Sequence, residues 1–242
     1  MRNKDTIYTS PLAEIADFAF DRTVANVFAD MINRSVPGYG LVVDQIGVLA
    51  RHYAQPNSRL YDLGCSLGAA TLSMRHRVTA DGCQIVAVDN AAAMIARCQE
   101  YIDKDPAVLP VQTVCEDLRQ TTISNASVVV MNYTLQFIAP QERGALIQKI
   151  YEGLLPGGVF ILAEKVLEDS AEQEQLFQTL HADFKRAQGY SDIEISQKRA
   201  ALENVLVSES VSDHQHRLQA AGFRHSAVWF HCYNFAALLA VK

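Results

Sequence analysis

The chain has 242 residues, 49% of them hydrophobic, and 27 acidic against 21 basic side chains give a formal charge of −6. That length and apolar content suit one sizeable α/β core with additions, or two small domains. The acidic balance argues against a protein that grips nucleic acid by itself, which would present a basic face; Arg75-His76-Arg77, Lys185-Arg186 and Lys198-Arg199 are short clusters that read as solvated helix surface.

Residues 1 to about 20 read as irregular, with Pro11 among them. From Asp21 onward Val24, Val27, Phe28, Met31 and Ile32 recur at helical spacing, the mark of an amphipathic helix outside the core sheet. Pro37-Gly38-Tyr39-Gly40 breaks it, and Val42, Val43, Ile46, Leu49 and Ala50 mark a second helix. Residues 1–57 are thus expected to form a helical cover over the ligand edge of a sheet. Tyr39, in the break, suits either a ligand contact or a staple for the turn.

Arg59 to Leu72 reads as strand, tight turn and helix, with Gly64 and Gly68 bracketing the turn. Open α/β sheets bind their ligands at such carboxyl ends. Gly64 can take a positive φ, and Gly68 lets backbone, ligand and helix approach closely. Asp89 ends the next apolar run, Gln84 to Val88, where a carboxylate can accept both hydrogen bonds of a ribose diol. The Gly-x-x-x-Gly spacing, with no Gly-Lys-Ser/Thr after it, excludes a P-loop. Asp62 would lie roughly 5 Å from the pyrophosphate of a dinucleotide, a repulsion of about 3 kcal/mol at an effective dielectric of about 20. The same carboxylate would attract the ammonium or sulfonium of S-adenosylmethionine. The stretch resembles the Asp-x-Gly-x-Gly-x-Gly loop of Rossmann-like methyltransferases, with Ser66 in place of the middle glycine.

Beyond it, Ala91 to Ile102 is expected to be a helix with Met94, Ile95 and Cys98 on one face. Val111–Cys115 is a third strand, ending at Glu116-Asp117-Leu118, and Ser127–Asn132 a fourth, apolar enough to be buried on both faces. A helix from Pro140 to Leu154 leads through Pro156-Gly157-Gly158 into a fifth strand, Val159–Ala163. Strands alternating with helices five times predict a mostly parallel, doubly wound α/β sheet. Two helices, Glu172–Gly189 and Ser191–Val205, form a helical insertion over 171–208, and a third, Ser212–Ala221, stops at Gly222. Ala227–Cys232 and Ala236–Val241 close the sheet as an antiparallel hairpin, so that 1–242 is expected to be one domain. The five cysteines lack Cys-x-x-Cys spacing, and His214 and His216 face different ways on their helix, so neither a disulfide framework nor a metal site is expected. Without an apolar leader or a long apolar run, the expectation is a soluble cytoplasmic protein with no membrane contact.

Gly64, Asp89, Asp117 and Asn132 fall at strand carboxyl ends on one edge, which points to a nucleoside ligand. Asp117 is placed to accept from an exocyclic adenine amine, and Asn132 stands where the reacting end of the ligand would lie. Cys65 is read as a small residue that fits the turn.

Asn33-Arg34-Ser35-Val36-Pro37-Gly38-Tyr39, Tyr61 to Ser73, Asp183-Phe184-Lys185-Arg186-Ala187 and Glu194-Ile195-Ser196-Gln197-Lys198-Arg199 resemble the carboxy-S-adenosylmethionine synthases over nearly the whole chain, Ser66 included. The resemblance implies a Rossmann-like methyltransferase fold and a homodimer. It implies S-adenosylmethionine contacts at Tyr39, Gly64, Cys65, Ser66, Asp89, Asn90, Asp117, Leu118, Asn132 and Arg199, with Leu118 acting through its backbone. Arg199 alone would read as helix surface; the resemblance implies that its guanidinium pairs with the carboxylate added to the cofactor, a task for a planar fork. The implied reaction carboxylates the methyl carbon of S-adenosylmethionine, with prephenate as donor and phenylpyruvate as by-product, and supplies wobble-uridine modification of tRNA. Two other readings are a methyltransferase acting directly on tRNA and a non-catalytic S-adenosylmethionine-binding module. Should Arg199 prove uninvolved, Lys165 at the end of the fifth strand is the next cation.

Overall fold

In the computed structural model, which describes residues 4–242, Asp21 opens the first helix by accepting from the Val24 amide at 2.8 Å. That helix, α1 (Arg22–Ser35), buries Val24, Ala25 and Met31 against Leu67 and Met94 beside the glycine turn. Helix α2 (Tyr39–Tyr53) begins at Tyr39 and lays Val42, Ile46 and Ala50 on the face of the sheet, against Leu60, Ile85 and Val128. Gly47 permits this course, since a Cβ there would sit 2.4 Å from Ser73 Oγ on the next helix.

The parallel strands are β1 (Arg59–Leu63), β2 (Gln84–Asp89), β3 (Val111–Cys115), β4 (Ala126–Asn132) and β5 (Leu154–Leu167). A short β6 (Glu209–Ser210) pairs with the end of β5, and the hairpin β7 (His225–Cys232) and β8 (Phe235–Val241) closes the sheet antiparallel to β5. The order β3-β2-β1-β4-β5-β8-β7 reverses between β1 and β4, which places the ligand crevice at their carboxyl ends. Helices α3 (Ala69–Arg77), α4 (Ala92–Lys104) and α5 (Pro140–Gly153) follow β1, β2 and β4, and α8 (Val211–Ala220) precedes the hairpin.

Alternation along the central strands feeds two core layers. Leu60, Val128 and Val130 face α2 and α3, while Tyr61, Val129 and Met131 face α5 and α8. Val128 to Met131 are wholly buried, each contributing about 1.5–3 kcal/mol of transfer free energy.

Two expectations need correction. No helix joins β3 to β4: residues 116–125 form a turn closed by Gln120 N–H to Asp117 O at 2.8 Å. The segment holds too few apolar residues to bury a helical face. β5 also runs well beyond 159–163, because Pro156-Gly157-Gly158 forms a bulge within the strand, and Val166 and Leu167 gain a partner in β6.

Helices α6 (Ala171–Ala187) and α7 (Asp192–Leu202) lie between β5 and β6. Ser191 and Glu194 form a capping box for α7. The irregular first segment is tied to it: Gln197 accepts from the Leu12 amide at 2.7 Å and donates to Tyr8 and Ser10 carbonyls at 3.0 Å, and Tyr190 donates to Asp5 at 2.6 Å.

Candidate functional site

The turn after β1 is set by backbone conformation. Gly64 sits at φ +81°, and a Cβ on it would fall 2.3 Å from the Thr134 side chain. Ser66 takes φ +50°, a left-handed conformation that costs a non-glycine residue energy and accounts for the glycine in ordinary methyltransferase loops. Its amide donates to Asp89 Oδ2 at 2.9 Å, and the Ala91 amide donates to Asp89 Oδ1 at 2.9 Å. Asp89 thus fixes the turn with two of about four acceptor sites and keeps the rest for a diol. Burial raises its proton affinity, which those amides oppose. Asn90 follows it, exposed. Cys65 is buried, and contact with Cys98 together with burial holds its thiol protonated, as suits a packing role.

Asp62 is partly spent elsewhere. Its Oδ2 accepts from the Thr71 amide at 2.9 Å and hydroxyl at 2.6 Å, fixing the start of α3. Its Oδ1 is buried without a donor, and burial pushes the carboxyl up to about 6. Asn132 Oδ1, at the end of neighbouring β4, is a second buried acceptor without a donor. Two such oxygens on adjacent strand ends suit an ammonium, whose three N–H groups can serve both.

Tyr39 opens α2, and its ring lies 6.1 Å from that of Tyr133. Burial, then Asp62, raises its phenol above the usual range, so it stays protonated. Asp117 reaches the same edge, where it accepts from the Arg119 amide at 2.9 Å and from Arg119 Nε at 3.0 Å; Arg119 bridges on to Glu142 at 2.8 Å. Arg119 holds Asp117 below the usual carboxylate range, so it is an anion with part of its capacity used. Leu118 buries its side chain in the core, and its amide finds no acceptor among the described residues.

Arg199 stands exposed on α7 with no ion pair among the described residues, its charge felt by Lys165 and Lys185. The structure therefore sets Gly64, Asp89, Asp117 and Asn132 along the carboxyl edge of the sheet, and Arg199 on the insertion within reach of Lys165 on β5 and Lys185 on α6.

Glu164 went unnoticed in the sequence. It is buried on β5 and accepts from the amides of Thr134, Leu135 and Gln136 at 3.2, 2.8 and 2.9 Å, which anchors the chain after Asn132. Burial pushes it up to about 8. A carboxylate inside the apolar run Val159–Val166 was the available signal. Tyr133, at φ +60° with its hydroxyl buried and unpartnered, gave none. No group of three or more His, Cys, Asp or Glu among the described residues is arranged to hold a metal, and no helix among them is long and apolar enough to cross a membrane. A surface hollow at Ser124, Asn125 and Gly153 lies at the opposite, amino-terminal edge of the strands.

The reversed sheet order, the turn after β1 and the acid ending β2 define a Rossmann-like fold of the methyltransferase class. Residues 60–158 match the family model described as a methyltransferase domain. A putative S-adenosyl-L-methionine-dependent methyltransferase from Methanococcus maripaludis shares the fold at TM-score 0.62 and 17% identity, over 96% of this chain and 97% of that one. Human N-acetylserotonin methyltransferase, solved with its cofactor, superposes at TM-score 0.62 and 16% identity, over 91% of this chain and 55% of that one. The carboxy-S-adenosyl-L-methionine synthase of Trichlorobacter lovleyi is 58% identical over 242 residues, covering 100% of this chain and 99% of the relative. That of Cronobacter sakazakii is 54% identical over 100% of this chain and 98% of the relative. The chain belongs to the carboxy-S-adenosyl-L-methionine synthase family.

Proposed function

We infer that the chain carboxylates the methyl carbon of S-adenosyl-L-methionine, taking the carboxyl group from prephenate and releasing phenylpyruvate. The observation that carries this reading is the 58% identity over the full chain to a synthase of that name. The sulfonium acidifies its own methyl group, and loss of carbon dioxide from the donor is driven by aromatisation of its ring. Atoms balance if the ring hydroxyl leaves with the methyl proton as water and the methyl carbon takes the carbon dioxide. The protein's part is to hold both reactants in register and away from bulk water.

In this reading Asp89 takes the ribose diol, beside Asn90, and the Gly64-Cys65-Ser66 backbone lies along the amino-acid tail. Asp117 and the free Leu118 amide meet the adenine edge, where an acceptor beside a donor suits the amine and the neighbouring ring nitrogen. Asp62 Oδ1 and Asn132 Oδ1 receive the ammonium, Tyr39 closes over the reacting end, and Arg199 pairs with the new carboxylate. The product then serves wobble-uridine modification of tRNA by another enzyme. We read the chain as one cytoplasmic domain that pairs as a homodimer. Helix α6 supports this, since it buries none of its residues and leaves Leu176 52% exposed.

Mass spectrometry of the nucleoside that co-purifies tests the reaction. A ligand about 44 Da heavier than S-adenosylmethionine, formed only when prephenate is supplied, is expected. S-adenosylhomocysteine with methylated tRNA would place the chain among direct methyltransferases, and unaltered S-adenosylmethionine with no turnover would leave a binding module.

A further inference from the structure

Three half-buried lysines gather beside the crevice with no carboxylate in ion-pair distance among the described residues. Lys165 stands on β5 opposite Phe235 on β8, so both side chains leave the same face of the sheet. Lys185 lies on α6 and Lys198 on α7. Lys198 Nζ donates to Ser35 Oγ at 2.9 Å, and His181 Nε2–H donates to the Ser35 carbonyl at 2.8 Å. The His181 ring packs edge-on against Phe235 at 4.9 Å; Phe235 lies 6.0 Å from Tyr133, and Tyr133 lies 6.1 Å from Tyr39. A continuous wall therefore runs from Tyr39, at the nucleoside crevice, along three aromatic rings to the lysines.

The acids nearest this group are committed elsewhere. Glu174, beside Lys165, accepts from the Glu168 amide at 3.0 Å and from Gln178 at 2.7 Å. Asp5 and Asp30, beside Lys198, hold the Tyr190 hydroxyl at 2.6 Å and Arg34 at 2.8 Å. Burial, and then the neighbouring cations, push Lys185 down to about 8. Burial pushes Lys198 down to about 7 and keeps His181 neutral. Cations crowded in this way are relieved by an anion.

We propose that Lys165, Lys185 and Lys198 form a second carboxylate subsite, separate from Arg199, that holds the pyruvyl carboxylate of the donor and retains it on the by-product. This rests on the reading of the chain as a carboxy-S-adenosylmethionine synthase. The donor carries two carboxylates and only one leaves. An anchor on the one that stays fixes the ring against Tyr133 and Phe235 and directs the other toward the reacting methyl. Lysines suit the task as point charges that hold a group without gripping it bidentately, which lets the by-product leave.

The test uses Lys165→Met, Lys185→Met and Lys198→Met, each beside its arginine counterpart. Turnover with prephenate is measured, along with calorimetric binding of phenylpyruvate and, separately, of S-adenosylmethionine. Each methionine variant should raise KM for prephenate and Kd for phenylpyruvate at least tenfold, with kcat changed less than threefold and S-adenosylmethionine affinity unchanged. The arginine variants should recover part of both losses. Because burial disfavours the charged form of each lysine and none has an ion pair among the described residues, the methionine variants should melt no lower than wild type, an outcome that a merely structural lysine would reverse. Wild-type turnover with KM and Kd unchanged in all three variants overturns the subsite alone. A wild type that neither consumes prephenate nor binds phenylpyruvate overturns both the subsite and the reaction.

Discussion

Asp89 holds a turn in the structure and takes a ligand in the proposed function, and a single substitution cannot separate the two. Its carboxylate accepts from the Ser66 and Ala91 amides, holding a turn whose third residue is in a left-handed conformation. Its remaining lone pairs face the proposed diol. Asp89→Ala removes charge-assisted hydrogen bonds of about 1.5–3 kcal/mol each, so S-adenosylmethionine affinity should fall at least tenfold and the protein should melt lower. Asp89→Asn, which keeps one acceptor, should fall between. Calorimetry that finds Asp89→Ala binding as wild type would take this residue out of the site. Arg199 invites the opposite comparison. It makes no ion pair among the described residues, so Arg199→Ala should leave stability and S-adenosylmethionine binding nearly intact while weakening the carboxylated nucleoside by about tenfold or more, the value of a lost charged pair. Arg199→Lys restores charge without the fork and should recover only part. Equal losses for the two nucleosides, titrated side by side, would reassign Arg199 to the shared part of the ligand.

Among the described helices, α6 is the one that buries none of its residues. It spans 17 residues, carries Leu176, Phe177, Leu180 and Phe184, and buries none of them fully. Phe177 leans on His231 and Tyr233 of the hairpin, whereas Leu176 points away at 52% exposure. A second copy of the chain is the occupant that the dimer reading supplies. Leu176→Glu should therefore shift sedimentation at micromolar concentration from dimer toward monomer, with the melting temperature of the monomer little changed. A variant that sediments as wild type would move the interface to another face. The same insertion carries Lys185 on α6 and Arg199 on α7, so the proposed interface and the proposed ligand contacts would share it.

At the scale of the whole molecule, a net charge of −6 coexists with a pocket of unneutralised cations, and pH resolves the two. Burial, opposed by Asp5 and Asp30 and reinforced by Lys185 and Arg34, lowers Lys198 from 10.5 to about 7 in the folded chain. Between those values the unfolded chain binds more protons, so this group makes stability rise as pH rises from about 7 toward 10.5. Below pH of about 7 the folded state bears the full penalty of a buried cation. Lys198→Met should accordingly be more stable than wild type near neutral pH, with the difference shrinking toward about pH 10. Urea unfolding of both proteins across that range is the measurement. A difference that does not vary with pH would mean that Lys198 is solvated in the native state.

Local pattern was enough for much of this protein. The alternation that sends Leu60 to one core layer and Tyr61 to the other is a two-residue period, and the stripe Val24, Val27, Met31 is a helical one; both act between near neighbours and are legible in sequence. Gly64 and Asp89 were legible for the same reason, since a positive φ and a carboxylate at a strand end are properties of one residue and its turn. The β3–β4 link was misjudged because rhythm was extended through residues 116–125, where too few apolar side chains exist to bury a helix. Other features depend on groups far apart in the chain. Asp62 was divided between Thr71 and an unpartnered oxygen, Glu164 was placed under three amides of another strand's loop, and Gln197 bound the first segment to α7. The lysines at 165, 185 and 198 lie on three separate elements; in sequence Lys185 and Lys198 look like ordinary solvated surface, and Lys165 stands out only as an alternative to Arg199. Only folding brings like charges together and removes their water, because desolvation and Coulomb energy depend on distance in space, which one chain's residue order does not contain.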